Sequence, residues 1–200
     1  AGSIQFKGRS ILGLSPDRIC QLGISRTFQN IRLFPQMTAY ENVELGLHSK
    51  PQYSLAEAFV RTPRARRIEI NTRKKAMELL EIVNLKEHSH ARASSLPYGL
   101  QRRLEMARAM ATNPELLLLD EPFSNLDVSA RNQMEILLNR IHEKYQMTII
   151  IVSHDLSFIP SRCTRVIALD KGKIIMDGKK TKILASESLK IIFNKNEVRS

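Results

Sequence analysis

Two adjacent carboxylates and one histidine carry the first chemical signal in this chain. Asp120 and Glu121 follow four consecutive leucines in "LLLLDEP", and His154 with Asp155 follows "TIIIVS". An apolar run of strand length that ends in charge fits a central strand of a parallel sheet with helices on both faces. Ligands in such sheets sit at the carboxyl ends of the strands. An isolated Asp-Glu pair is more often solvated, with the aspartate capping the next turn. Between the two runs, Met134, Leu137, Leu138 and Ile141 form an i, i+3, i+4, i+7 stripe, which predicts a helix over about Val128–Tyr145. Strand, helix, strand is a βαβ unit with a right-handed crossover, so both strands end on one edge. Asp120, Glu121 and His154 are therefore expected together. There one carboxylate can hold Mg²⁺ or its waters, the next can accept a proton from a water, and the histidine can donate to a phosphate oxygen.

Other elements must hold that edge in place. "SIQFKGRSIL" predicts a hairpin turning at Lys7 and Gly8, and "SPDRICQLG" a helix with Ser15 at the N-cap, Pro16 at N1 and Gly23 past its end. A strand, "ISRTFQ", comes next. "TAYE" has capping-box spacing and opens a helix from Thr38 through about His48. A second helix between about Arg64 and Asn84 puts Leu79, Leu80 and Val83 on one face. This middle portion is expected to be wholly helical. "GLQRRLEMARAMA" predicts a helix starting at or beside Gly99. "TIIIVS" predicts a second buried strand, then come a short helix and two strands around Lys171 and Gly172.

Composition narrows the classes. With 200 residues, 42% apolar and 26% charged, the chain suits one globular domain or one domain plus a subdomain. No stretch approaches 18 consecutive apolar residues, and no basic segment followed by an apolar one opens it, so the expected location is the cytoplasm. Cys20 and Cys163 lack metal-site spacing and read as free thiols. The net charge of +11 is densest in "RTPRARRIEINTRKK". Without interleaved aromatics, that stretch reads as a solvated helix face or a membrane-proximal surface rather than a nucleic-acid stripe.

"SSLPYGLQRRLEMARAMATNPELLLLDEPFSNLD" followed by "IIIVSHD" resembles the second half of the nucleotide-binding domain of ATP-binding cassette (ABC) proteins: signature loop, Walker B strand, D-loop and switch histidine, in family order and spacing. The resemblance implies an α/β fold of the P-loop NTPase kind, a mostly parallel sheet flanked by helices, with an α-helical subdomain. It divides the chain into residues 1–30 (core up to the Q-loop), 31–98 (helical subdomain) and 99–200 (the rest of the core). It implies ATP and Mg²⁺ as cofactors, with Glu121 and His154 catalytic and Gln29 of "RTFQN" and Asp120 on the metal. Pro97, Tyr98, Gly99, Leu100 and Gln101, at the loop usually written LSGGQ, would face the nucleotide of a second cassette subunit. Pro97 and Tyr98 replace the usual Ser and Gly. Asp127 would act across the dimer, although helix capping fits it equally.

The implied partners are that second subunit, transmembrane permease subunits at the inner face of the cell membrane and, indirectly, a solute-binding protein. No nucleic acid is implied. The LPYG form, with "GISRTFQNIRLFPQMTAYENV", is similar to branched-chain amino-acid importer ATPases. From Phe123 onward the likeness shifts to importer ATPases for ions and small solutes. The phosphate-gripping G-x-x-x-x-G-K-[ST] is not among these residues, and "GKKT" at Gly178–Thr181 does not meet it. An N-terminally truncated sequence is the expected reason, and a noncatalytic interaction module the alternative. Leu33, Phe34, Met37 and Tyr40, around Pro35, either pack the helical subdomain or form a groove for a permease helix.

Overall fold

The computed structural model describes residues 2–48, 62–155 and 159–186. They fall into two units, Ala1–Ser153 and His154–Ser200. The first unit opens with the expected hairpin, β1 (Gln5–Phe6) against β2 (Arg9–Ser10). The short helix α1 (Pro16–Gln21) has Pro16 in its first turn and ends at Gly23. The φ of +105° there lets the chain reverse into β3 (Ile24–Arg26).

Among the described residues, three α-helices come next, α2 (Ala39–Leu47), α3 (Pro63–Ile82) and α4 (Tyr98–Ala111). α2 starts on a complete capping box. The Thr38 amide donates to Glu41 Oε2 at 2.7 Å, and the Glu41 amide donates to Thr38 Oγ1 at 3.2 Å. α2 lies so close to α4 that a Cβ on Gly46 would stand 2.7 Å from the Arg108 carbonyl oxygen and 2.8 Å from Ala111 Cβ. Val43, Ala76, Leu80, Val83 and Leu104 fill the space among the three helices. Each larger aliphatic side chain buried this way contributes roughly 1.5–3 kcal/mol. The middle of the chain is less helical than expected. Residues 31–38 are non-helical, and Lys86–His88 and Ala93–Ser95 form single 3₁₀ turns. Residues 49–61 lie outside the described ones.

β4 (Leu116–Asp120), α5 (Val128–Tyr145) and β5 (Thr148–Val152) form the predicted βαβ unit. The parallel sheet runs β3-β4-β5, with Leu117 opposite Ser25 and Ile149, and Asp120 opposite Val152. Leu117 and Leu119 are fully buried, but Ile150 and Val152 are 44% and 48% exposed. β5 is thus not the uniformly buried strand that its sequence suggests. It borders the sheet of the described residues, and alternate side chains point to opposite faces, one half-buried and the other exposed.

The second unit pairs β6 (Arg165–Asp170) antiparallel with β7 (Lys173–Lys179), and α6 (Lys180–Leu184) closes it through Ala168 and Ile183. Lys171 and Gly172 make the turn as expected. The helix expected after Asp155 falls partly on residues 156–158, outside the described ones, and residues 159–164 are turn and irregular chain. "GKKT" spans the end of β7 and the start of α6. The Lys180 ammonium donates to the Ile159 and Pro160 carbonyls, a structural role rather than a phosphate cradle.

Candidate functional site

β4 delivers the two carboxylates differently. Asp120 is still in the strand, and Arg26 at the end of β3 donates to its Oδ2 at 2.6 Å. Glu121 has left the strand with φ +50°, a left-handed conformation that costs a non-glycine residue about 1–2 kcal/mol. Hydrogen bonds to both its backbone and its side chain hold it there, the Ser124 amide also donating to its carbonyl at 3.2 Å. Its amide donates to the Val152 carbonyl at 2.9 Å, its carbonyl accepts the Ser124 hydroxyl at 2.9 Å, and Ser153 Oγ donates to its Oε2 at 3.4 Å. The side chain is almost buried. A strained, nearly buried carboxylate at a strand end has a fixed aim, as a proton acceptor needs.

Gln29 lies three residues beyond β3, and its side chain is exposed. The Thr27 amide still pairs with the Leu118 carbonyl at 3.0 Å, so the chain departs from the sheet just before Gln29. The strand is shorter than the "ISRTFQ" expected. At the signature position, Pro97 occupies the N-cap of α4 and places no side-chain oxygen on the first amides. The Tyr98 and Gly99 N–H groups have no intrahelical acceptor and face outward from the helix start. Leu100 and Gln101 amides both return to the Pro97 carbonyl, and the Gln101 side chain donates to the Leu96 carbonyl at 2.8 Å. A Cβ on Gly99 would meet only Leu126 Cδ2, at 3.8 Å, so packing within the chain does not demand glycine there. Asp127 caps α5, accepting the Ala130 amide at 2.8 Å. His154 opens the second unit and is exposed.

The first unit therefore brings Asp120 and Glu121 to one sheet edge, with Gln29 leaving the neighbouring strand. Among the described residues, no cluster of three or more His, Cys, Asp or Glu side chains gathers around a point. Mg²⁺ takes most of its ligands from phosphate and water, so a single strand-end carboxylate such as Asp120 suits it without an all-protein cage.

Sequence reasoning missed Arg102 and Glu105, charged residues in the buried face of α4. The Arg102 guanidinium donates to the Phe28 and Gln29 carbonyls at 2.8 and 2.5 Å, to Tyr98 Oη at 3.1 Å and to Ser124 Oγ at 3.2 Å. It pairs with Glu105 at 3.5 Å. Burial pushes the Glu105 carboxyl up, while the Arg32 amide and the Arg102 charge pull it down. A signal was present: Arg102 shares an i, i+4, i+8 row with Met106 and Met110, so a charge stands in the apolar stripe.

The ABC transporter family model matches residues 1–124. The high-affinity branched-chain amino acid transport ATP-binding protein BraF of Pseudomonas aeruginosa is 35% identical over 177 residues, covering 88% of this chain and 69% of that protein. The spermidine/putrescine import ATP-binding protein PotA of Thermotoga maritima is 34% identical over 178 residues, covering 89% and 44%. Among solved structures, the dimeric post-hydrolysis state of the ATP-binding cassette MJ0796 bound to ADP and Pi superposes with a TM-score of 0.72 at 27% identity, covering 93% of this chain and 75% of the other. The cassette MJ1267 gives 0.77 at 24% identity, a likeness of fold. This chain belongs to the ABC transporter family and has the ABC ATPase fold. No described helix is long and apolar enough to cross a membrane.

Proposed function

We propose that this chain serves as the ATP-binding and ATP-hydrolysing subunit of an importer, coupling ATP binding and hydrolysis to solute uptake. It works as a dimer with a second cassette, identical or not, docked on permease subunits at the inner face of the cell membrane. A solute-binding protein acts through the permease. Its subdivision is 1–30, 31–98 and 99–200. The observation that carries the reading is the end of β4, where Asp120 stays in the strand and Glu121 is held out of it, its backbone bonded to Val152 and Ser124 and its carboxylate to Ser153.

In this reading Asp120 holds Mg²⁺, with Gln29 as a second oxygen ligand, and the ion neutralises charge on the transferred phosphoryl group. Glu121 takes the proton of the attacking water, and His154 donates to a γ-phosphate oxygen. The start of α4, Pro97 to Gln101, faces the ATP of the other subunit and offers it the Tyr98 and Gly99 N–H groups. Asp127, besides its cap, faces that subunit. The P-loop is not among residues 1–200, and the proposal concerns the groups that act beside it. The similarity to BraF supports branched-chain amino acids as the solute class.

Replacing Glu121 by Gln in the complete gene product, assembled with its permease, tests the roles. MgATP turnover should fall about 10²–10⁴-fold with nucleotide binding retained. Equal turnover would refute them. A second reading rests on the P-loop-less sequence itself: a noncatalytic module that lends its signature loop to a complete cassette. It predicts that Glu121→Gln changes nothing while substitutions at Tyr98 or Gly99 slow the partner's hydrolysis.

A further inference from the structure

Arg102 uses its whole fork on three separate parts of the site. Nε goes to the Tyr98 hydroxyl at the start of α4, and the two terminal nitrogens reach the Phe28 and Gln29 carbonyls. One of those nitrogens also reaches Ser124 Oγ. The Ser124 hydroxyl in turn donates to the Glu121 carbonyl at 2.9 Å, so the guanidinium connects through one hydroxyl to the turn that holds Glu121. Glu105, one helical turn on, balances the buried charge and accepts the Arg32 amide at 3.3 Å, which fixes the chain after Gln29. Arg102 is 4% exposed and Glu105 3%. A guanidinium taken out of water is costly unless its donors are met, and here each of its three nitrogens has a partner.

A buried charge at this position is not needed to hold helix on sheet. Met106 and Met110, in the same row of α4, do that with apolar contact. Arg102 adds what an apolar residue cannot: a rigid planar connector between backbone segments 74 and 22 residues away in sequence. We propose that Arg102 is a positioning residue that ties the backbone of Gln29 and the turn of Glu121 to the start of the signature helix. A displacement of any one of the three then moves the other two. This rests on the proposed function, which puts Gln29 and Glu121 beside one nucleotide and the start of α4 beside the other. The consequence is that the state of one nucleotide is passed to the second through a side chain that touches neither.

Two variants test it. Arg102→Lys keeps the charge but offers one point donor in place of a fork, and Ser124→Ala cuts only the arm toward Glu121. Amide exchange reads the tie without any turnover. In Arg102→Lys the Arg32 and Ser124 amides should lose protection together while amides of α3 stay unchanged. In Ser124→Ala only the second should loosen. Full protection at both amides in Arg102→Lys would overturn the proposal.

In the assembled transporter, Arg102→Lys should lower kcat by up to about a hundredfold, the scale of a 1 Å misplacement, with KM for MgATP kept within about twofold. Ser124→Ala should lower kcat less. The double variant should lose less than the product of the two, because both cut one path. Strictly multiplicative losses would overturn the shared path, and full activity in Arg102→Lys would show that charge alone suffices. Should Arg102→Lys not fold, Ser124→Ala decides, since it must slow kcat at unchanged KM and unchanged melting temperature. A wild-type complex without MgATP turnover would defeat the functional reading, and the exchange result would still decide the tie.

Discussion

The segment from Phe28 to Thr38 is pinned at both ends by a buried polar side chain, and the two pins are of opposite kinds. At the Phe28 end Arg102, charged and 74 residues away in sequence, grips the Phe28 and Gln29 carbonyls. At the far end Asn42, neutral and fully buried on the first turn of α2, accepts the Phe34 amide at 2.9 Å and donates to the Phe34, Met37 and Thr38 carbonyls. The first pin exists only once α4 and the sheet are assembled. The second is local and travels with its own helix. A loop built this way has one end whose position reports on the site and another that is rigid in itself, the division of labour expected of a lever.

The largest effect should come from removing the local pin. Asn42→Ala leaves the Phe34 amide without its partner and the Phe34, Met37 and Thr38 carbonyls with one backbone donor each, in a helix start that cannot shift because Gly46 sits hard against α4. A loss of about 1–2 kcal/mol is expected from the bonds removed. Urea unfolding measures it. A loss under about 0.5 kcal/mol would mean that the turn around Pro35 holds itself.

Next in size is the surface that the pin presents. Phe34 is 46% exposed and Met37 36%, so neither is core, whereas Leu33 and Tyr40 are half-buried. Their exposure answers part of the sequence-level choice between packing and groove. The Arg108 guanidinium stands 5.5 Å from the Phe34 ring, so Phe34→Glu would place a carboxylate beside a cation and should cost the fold within about 0.5 kcal/mol. If the far end docks a permease helix, the same variant should release the protein from membranes that carry the partner. An unfolded Phe34→Glu would make the ring structural, and a variant that stays bound and transports normally would put the dock elsewhere.

The order of elements was legible in the sequence because each rests on short-range signals. The capping box at Thr38, the α5 stripe and the turns at Lys7–Gly8 and Lys171–Gly172 all involve residues close in sequence. Asp120 and Glu121 were legible for the same reason, charge ending an apolar run. The polar hub was not, since Arg102 meets Phe28 and Ser124 only after the sheet closes, and a sequence pattern records the charge without its partners. The exposure of Ile150 and Val152 was missed because the unbroken β-branched run "TIIIV" reads as buried on both faces, whatever covers them. Nothing in the spacing around Asn42 marks it out, and its side chain turns out to fold the loop before its own helix.

The smallest expected effect separates the two pins by pH. Glu41, in the capping box that begins α2, is held below the usual carboxylate range by the Thr38 amide and then by the Thr38 hydroxyl. A carboxyl lowered in the fold contributes stability above its unfolded value, and that contribution is lost as pH falls through the folded one. Glu105, beside Arg102 at the Phe28 end, has the opposite sign. Burial raises it, so its contribution is complete below the ordinary glutamate range and declines as pH rises. Acid should therefore loosen the Thr38 end and spare the Phe28 end. Glutamine keeps the capping-box acceptor but not the charge. The melting-temperature gap between wild type and Glu41→Gln should be present at about pH 6 and close toward about pH 3, on either side of the ordinary glutamate range. The gap for Glu105→Gln should shift in favour of wild type over the same interval. A Glu41 gap that is constant with pH would show that its hydrogen-bond geometry, and not its charge, secures the end of the lever.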